Sequence, residues 1–209
     1  MLITKADADE LRGNMAGEVL LPIDDDYEMS RKVWNGMIDK RPAIIARCAG
    51  ASDVVSSVKF ARANGLIVAV RGGGHNAAGN AVCEGGIMID LSQMKRFEID
   101  ILNQTANAES GMTWGEFDKK TQEFGLATTG GVVSTTGIAG LTLGGGIGRL
   151  GRKYGLACDN LLSADIVTAD SNMLRVSDTE NSDLFWAIRG GGGNFGIITV
   201  DMGYLASPF

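Results

Sequence analysis

The chain places its only histidine, His75, directly behind three glycines in the stretch VAVRGGGHNAAG, residues 68–79. A neutral imidazole can take a proton, exchange hydrogen bonds, or add through nitrogen to an electrophilic carbon. Glycines let the backbone approach a ligand closely, and successive free N–H groups form a concavity that suits an anion such as a pyrophosphate. Glycine is abundant, with 30 residues against 3 prolines, and the excess falls in three clusters: RGGGH, LTLGGGIGRLG and RGGGGN. Each lies beside a predicted strand. That arrangement points to a nucleotide-type ligand held by backbone, with an imidazole aimed at it.

Other chemistries are excluded. Gly72, Gly74 and Ala77 satisfy G-x-G-x-x-A after a predicted strand, with Asp90 downstream. The dinucleotide fingerprint, however, requires its loop to open a helix, and the stretch AGNAVCEGG is too short and too glycine-rich for one. No G-x-x-x-x-G-K-[ST] occurs, nor a G-x-S-x-G elbow. The three cysteines, Cys48, Cys83 and Cys158, are far apart, and one histidine cannot complete a Cys/His zinc set, so no metal is expected. A net charge of −6 without a basic stripe argues against nucleic acid. No run approaches the ~20 apolar residues of a membrane span. With no apolar leader in MLITKADADELRGNM, the expected compartment is the reducing cytoplasm.

Many short elements must position these residues. Residues 24–40 read as a short helix and AIIARCAG as a strand. ASDVVSSVKFARANGL reads as a helix capped by Ser52 or Asp53, with Val54, Val55, Val58 and Ala61 on one face and Gly65 at its end. LIVAVR and GGIMIDLSQM are strands. RFEIDILNQTANAESG is a hairpin turning at Asn103 and Gln104. TWGEFDKKTQEFGL is a helix with Trp114, Phe117 and Phe124 in the core. The glycine-rich stretch from Thr128 to Gly155 is too flexible for an ordinary helix or strand. LLSADIVTADSNMLRVS is a second hairpin, LFWAIRG a short helix capped by Asp183, and GIITV a last strand. Strands, hairpins and helices mixed in this order predict an α+β fold, not a doubly wound parallel sheet.

Taken in order, RGGGHNAAG, GGIMIDLSQM, the stretch from Thr113 to Leu156, CDNLLSADIVTAD and DLFWAIRGGGGNFGIITV resemble the FAD-binding domain of the vanillyl-alcohol oxidase / p-cresol methylhydroxylase superfamily. The nearest branch is that of the berberine-bridge-enzyme-like, hydroxynicotine-oxidase-like flavoproteins. The likeness covers roughly residues 33–200. It implies two α+β subdomains, about 33–95 and 96–209, with the flavin between them and residues 1–32 as an N-terminal extension.

It further implies that His75 is bonded to the methyl carbon of the flavin's dimethylbenzene ring. Arg71, Gly72, Gly73, Gly74, Asn76 and Gly79 match the loop around the pyrophosphate. Thr136, Gly137, Gly140, Thr142, Gly145 and Gly148 match a second flavin loop. Asp159 and Asn160 match a cofactor-side segment, and Gly196, Ile198 and Val200 the last strand near the adenosine.

Two departures qualify the resemblance. Val133 stands where some relatives carry a second flavin-bonding cysteine, and Cys158 reads as a buried small residue, so one bond is expected. The family's substrate-binding domain should begin near YLASPF, so no catalytic base is named. The expected activity is hydride transfer from a small alcohol, sugar or amine to FAD, then to oxygen. The alternatives are a binding module without catalysis of its own and, more distantly, a relative of the enolpyruvyl reductases. An uncovered face predicts self-association or a partner that supplies the substrate domain.

Overall fold

The computed structural model describes residues 3–199 and, as backbone, 202–205 and 207–208. The chain opens with α1 (Lys5–Gly13), β1 (Glu18–Leu20) and a single turn, α2 (Tyr27–Ser30). It continues through β2 (Ile44–Arg47), α3 (Ala51–Ala63), β3 (Val68–Arg71) and β4 (Ile87–Asp90). These strands form one sheet in the order β1-β2-β4-β3, in which β4 runs parallel to both β2 and β3. Side chains alternate across its faces. Ile44, Ala46, Ile87 and Ile89 pack with Val54, Phe60 and Ala61 of α3, while Ile45 and Met88 pack on the other face with Tyr27 and Val82. With both faces covered, β2 and β4 are apolar throughout except at their ends. The stretch residues 1–32 contributes an edge strand, because β1 pairs with β2.

The second half holds β5 (Phe97–Asp100), β6 (Thr105–Ala108), α4 (Trp114–Gln122), β7 (Leu126–Ala127), α5 (Ile138–Leu143) and α6 (Gly151–Tyr154). It ends with β8 (Leu161–Val167), β9 (Met173–Ser177), α7 (Ser182–Ile188), β10 (Ile197–Ile198), β11 (Met202–Leu205) and β12 (Ser207–Pro208). An antiparallel sheet runs β10-β8-β11-β6-β5, with β9 on β8, and β12 pairs with β7. Its core gathers Trp114, Phe117, Ile138, Ile166, Val176, Phe185 and Ile188. Helix α4 starts on a capping box: Glu116 accepts from the Thr113 N–H, 2.9 Å, and hydroxyl, 3.0 Å.

The fold is α+β, and the two sheets meet through side chains and bare backbone. Val167 and Ile197 of the second sheet pack into the core of the first. Gly73 and Gly137 touch so closely that a Cβ on Gly73 would lie 2.2 Å from the Gly137 nitrogen.

Several local expectations are corrected. Only Tyr27–Ser30 of residues 24–40 is helical, and Ile138–Leu143 forms a helix despite Gly140 and the glycines that flank it. Asp53 does not cap α3, whose N-cap is Gly50. The carboxylate accepts instead from the N–H groups of Ala16, Gly17 and Ala49. Helix α7 begins after Asn181 without a side-chain cap, with Asp183 inside its first turn. Phe124, expected in the core, is 43% exposed, one turn past the buried stripe of α4.

Candidate cofactor site

The RGGGH loop leaves the C-terminal end of β3, the end of a parallel sheet where ligands commonly bind. In register there, Arg47, Asp90 and Arg71 lie side by side across β2, β4 and β3. Asp90 is fully buried and accepts from Arg71 at both oxygens, Nε at 3.0 Å and Nη2 at 2.5 Å. It also accepts from the Ser92 N–H and hydroxyl. Arg71 Nη1 donates to the carbonyls of Ser30, 2.5 Å, and Lys32, 3.0 Å. The guanidinium is thus spent on holding the loop to its surroundings.

Residues 31–40, not helical, lie as a strap across the glycine loop. The Trp34 N–H donates to the Gly74 carbonyl at 3.1 Å, Asn35 Nδ2 to Ala77 at 3.0 Å, and Lys40 Nζ to Gly79 at 3.0 Å. The strap delivers the Trp34 indole onto His75, with ring centroids 5.2 Å apart and planes 22° from parallel. On the other side, His75 Nε2 lies 2.9 Å from the Thr135 hydroxyl. Burial lowers the imidazole pKa below its ordinary value, which favours the neutral ring.

Between the two sheets runs a cleft of about 610 Å³. Its walls come from β3, from Gly72 and Asn76, from Ala139, Gly140 and Gly144 of the α5 region, and from Gly192–Asn194 with Gly196–Ile198. A recess of about 270 Å³ adjoins it, lined by Gly72–Gly74, His75, Thr136 and Gly137. A further recess of about 390 Å³ lies where Trp34, His75 and Thr135 meet Lys32, Ser92 and Lys95. Glycine is the commonest residue of this lining, at ten of 33 positions. Gly140 is telling: it sits in a helix, where alanine would be about 1 kcal/mol better, yet an added Cβ there would touch no protein atom. The space beside it fits a ligand pressed on the backbone.

The structure brings Gly72, Gly73, Gly74, His75, Asn76, Thr136, Gly137, Gly140, Gly196 and Ile198 together around this space. Other expected positions lie outside its lining. Gly79 closes a turn against Ile38, and Gly148 packs on the Gly130 backbone. Thr142 is fully buried, and Gly145 accepts from the Cys158 N–H. Asp159 accepts from the Leu156 N–H, and Asn160 donates to the carbonyls of Tyr154 and Leu156, so both shape their own loop. Val200 lies outside the described residues.

Trp34, Thr135 and the Gly192–Asn194 segment are additions that the sequence alone does not single out, although the RGGGGN echo marks the last. The three cysteines are buried, with their thiols pushed up, Cys48 to about 12. Among the described residues no cluster of His, Cys, Asp or Glu could hold a metal, and no helix is long and apolar enough to cross a membrane.

Comparison with known proteins agrees with this geometry. The FAD binding domain family matches residues 42–177. The (R)-6-hydroxynicotine oxidase of Paenarthrobacter nicotinovorans is 44% identical over 186 residues, which are 89% of this chain and 41% of that protein. The crystal structure of 6-hydroxy-D-nicotine oxidase from Arthrobacter nicotinovorans superposes with a TM-score of 0.91 at 42% identity, covering 93% of this chain and 43% of that one. The BBE-like 1 protein of Physcomitrella patens superposes with a TM-score of 0.90 at 26% identity, covering 96% and 44% respectively. The chain therefore spans about two fifths of the length of the relatives it matches.

Proposed function

The chain belongs to the FAD binding domain family, on the berberine-bridge-enzyme-like branch of flavin oxidoreductases, and from that premise we propose that it holds FAD between its two sheets with His75 bonded to the flavin. The observation that carries this is the glycine-rich cleft with the sole imidazole at its edge. Gly72–Gly74 and Gly137 offer N–H groups to the pyrophosphate, and Gly140 leaves room for close approach. Gly192–Asn194, Gly196 and Ile198 line the end suited to the adenosine, with Val200 assigned there by resemblance alone.

Arg71 serves by fixing the loop through Asp90, and Asp159 with Asn160 by fixing the segment after α6. His75 tethers the ring and, by withdrawing electron density through its nitrogen, raises the reduction potential. When bound, the flavin supplies two-electron chemistry: it accepts hydride from a small alcohol, sugar or amine and passes electrons to oxygen. Three buried free cysteines suit a reducing cytoplasmic setting.

A second reading, that the chain binds FAD without catalysing a reaction by itself, is favoured by its span of about two fifths of its relatives. Substrate contacts would then come from a further segment, a partner or a second copy. Oxygen consumption with alcohols, sugars and amines separates the two readings. For FAD itself the test is a titration followed by flavin fluorescence. Wild type should bind, and Gly140→Leu should lose at least tenfold in affinity with its thermal midpoint not lowered. Equal binding by both proteins would place the cofactor elsewhere.

A further inference from the structure

Thr135 Oγ1 is the one hydrogen-bond partner of the His75 ring among the described residues, at 2.9 Å from Nε2. Trp34 covers a ring face. Together they fix the orientation of the imidazole. A half-turn of the ring would keep the stacking but bring Cε1 to the hydroxyl in place of Nε2, losing the hydrogen bond. With Nε2 engaged, Nδ1 is the nitrogen left free to react.

We propose that Thr135 is a positioning residue for flavin attachment: its hydroxyl holds the proton on Nε2, so that Nδ1 presents a lone pair, and reverses from acceptor to donor once the bond has formed. This rests on the attachment proposed above. Nδ1 gives its lone pair to the methyl carbon of the dimethylbenzene ring. That carbon gives up one hydrogen as a proton, and the imidazole gives up the proton on Nε2. The two electrons released pass to dioxygen, which takes two protons and leaves as hydrogen peroxide.

Before the bond, Nε2–H must be a donor; afterwards Nε2 carries only a lone pair and needs one. A hydroxyl serves in both states because it rotates between donating and accepting. A carbonyl could serve only the first state and an N–H only the second. The lowered pKa of His75 supports the requirement that the ring be neutral.

Because the chain has one imidazole, its ring nitrogens give one set of signals in a long-range proton–nitrogen NMR spectrum. In the FAD-free chain, wild type and Thr135→Ser should carry the proton on Nε2, whereas Thr135→Val should show a measurable share on Nδ1. On adding FAD in air, Thr135→Val should bond flavin about tenfold more slowly, the scale of one lost hydrogen bond. The rate is read at saturating FAD, so that reversible affinity does not enter it, and Thr135→Ser should restore it. Thr135 is exposed, so both variants should keep the wild-type melting temperature.

An unchanged tautomer in Thr135→Val, an unchanged rate, or a bond mapped to Nε2 in the wild-type peptide would each overturn the proposal. A wild type that binds FAD but never bonds it would overturn the attachment reading. The tautomer comparison uses no flavin and still decides the role of Thr135 in that event.

Discussion

His75 shows how far residue types alone lead. Its place behind three glycines is legible in the sequence. Its two contacts are not, because Trp34 and Thr135 lie 41 and 60 positions away, and nothing in their neighbours' spacing marks them. Asp90 was equally opaque. It looked like the acidic residue of a dinucleotide fingerprint, and it is the buried anchor of Arg71.

Asp118 allows a test at the same scale. It sits in α4 beside a recess with Thr121, Thr128 and Arg149, and burial pushes its carboxyl up to about 6 from 3.8. The folded state therefore holds this proton more tightly than the unfolded chain. The group costs nothing near pH 3.8 and penalises the fold progressively as pH rises through 6. Asp118→Asn should raise stability at pH 7 by about 1 kcal/mol, after allowing for the part of the side chain that water still screens. The gain should fall to a small fraction of that by pH 4 and vanish below 3.8. Denaturant melts at the two pH values check this, and a gain of equal size at both would refute the assignment.

Elements with a strong period were readable, and those shaped by distant contacts were not. The α3 stripe and the β5–β6 hairpin follow from local pattern, and Gly65 ends α3 with φ +58 as a helix stop should. Residues 31–40 have helical composition, but the Trp34 N–H and the Asn35 and Lys40 side chains are committed to the glycine loop, and tertiary contacts override propensity there. Helix α5 goes the other way. Glycine disfavours it, yet Ile138, Ala139 and Leu143 are buried in the core and fix its turn. The seam between loops is the element most sensitive to a single atom. Gly73→Ala would place Cβ against the Gly137 backbone, where no side chain can yield. We expect a loss of about 1–3 kcal/mol, as for overpacked interiors, measured by thermal or denaturant unfolding. Wild-type stability in this variant would mean that the two loops do not touch as described.

At the scale of the molecule, the α+β class was legible because hairpins interrupt the strand–helix alternation. The two subdomains are implied by the resemblance alone, and local pattern does not show how their sheets join, since that depends on how Val167, Ile197 and the two glycine loops meet. The resulting cleft, rich in glycine and edged by the one imidazole, is where the fold and the FAD binding domain family agree. The most direct test is to saturate the purified chain with FAD in air, denature it in acid, and record visible absorbance of the precipitated protein for wild type and His75→Ala. The account predicts flavin absorbance retained in wild type, mapped to the peptide containing His75, and none in the variant. Flavin retained by His75→Ala, or lost from a wild type that had bound it, would contradict the account.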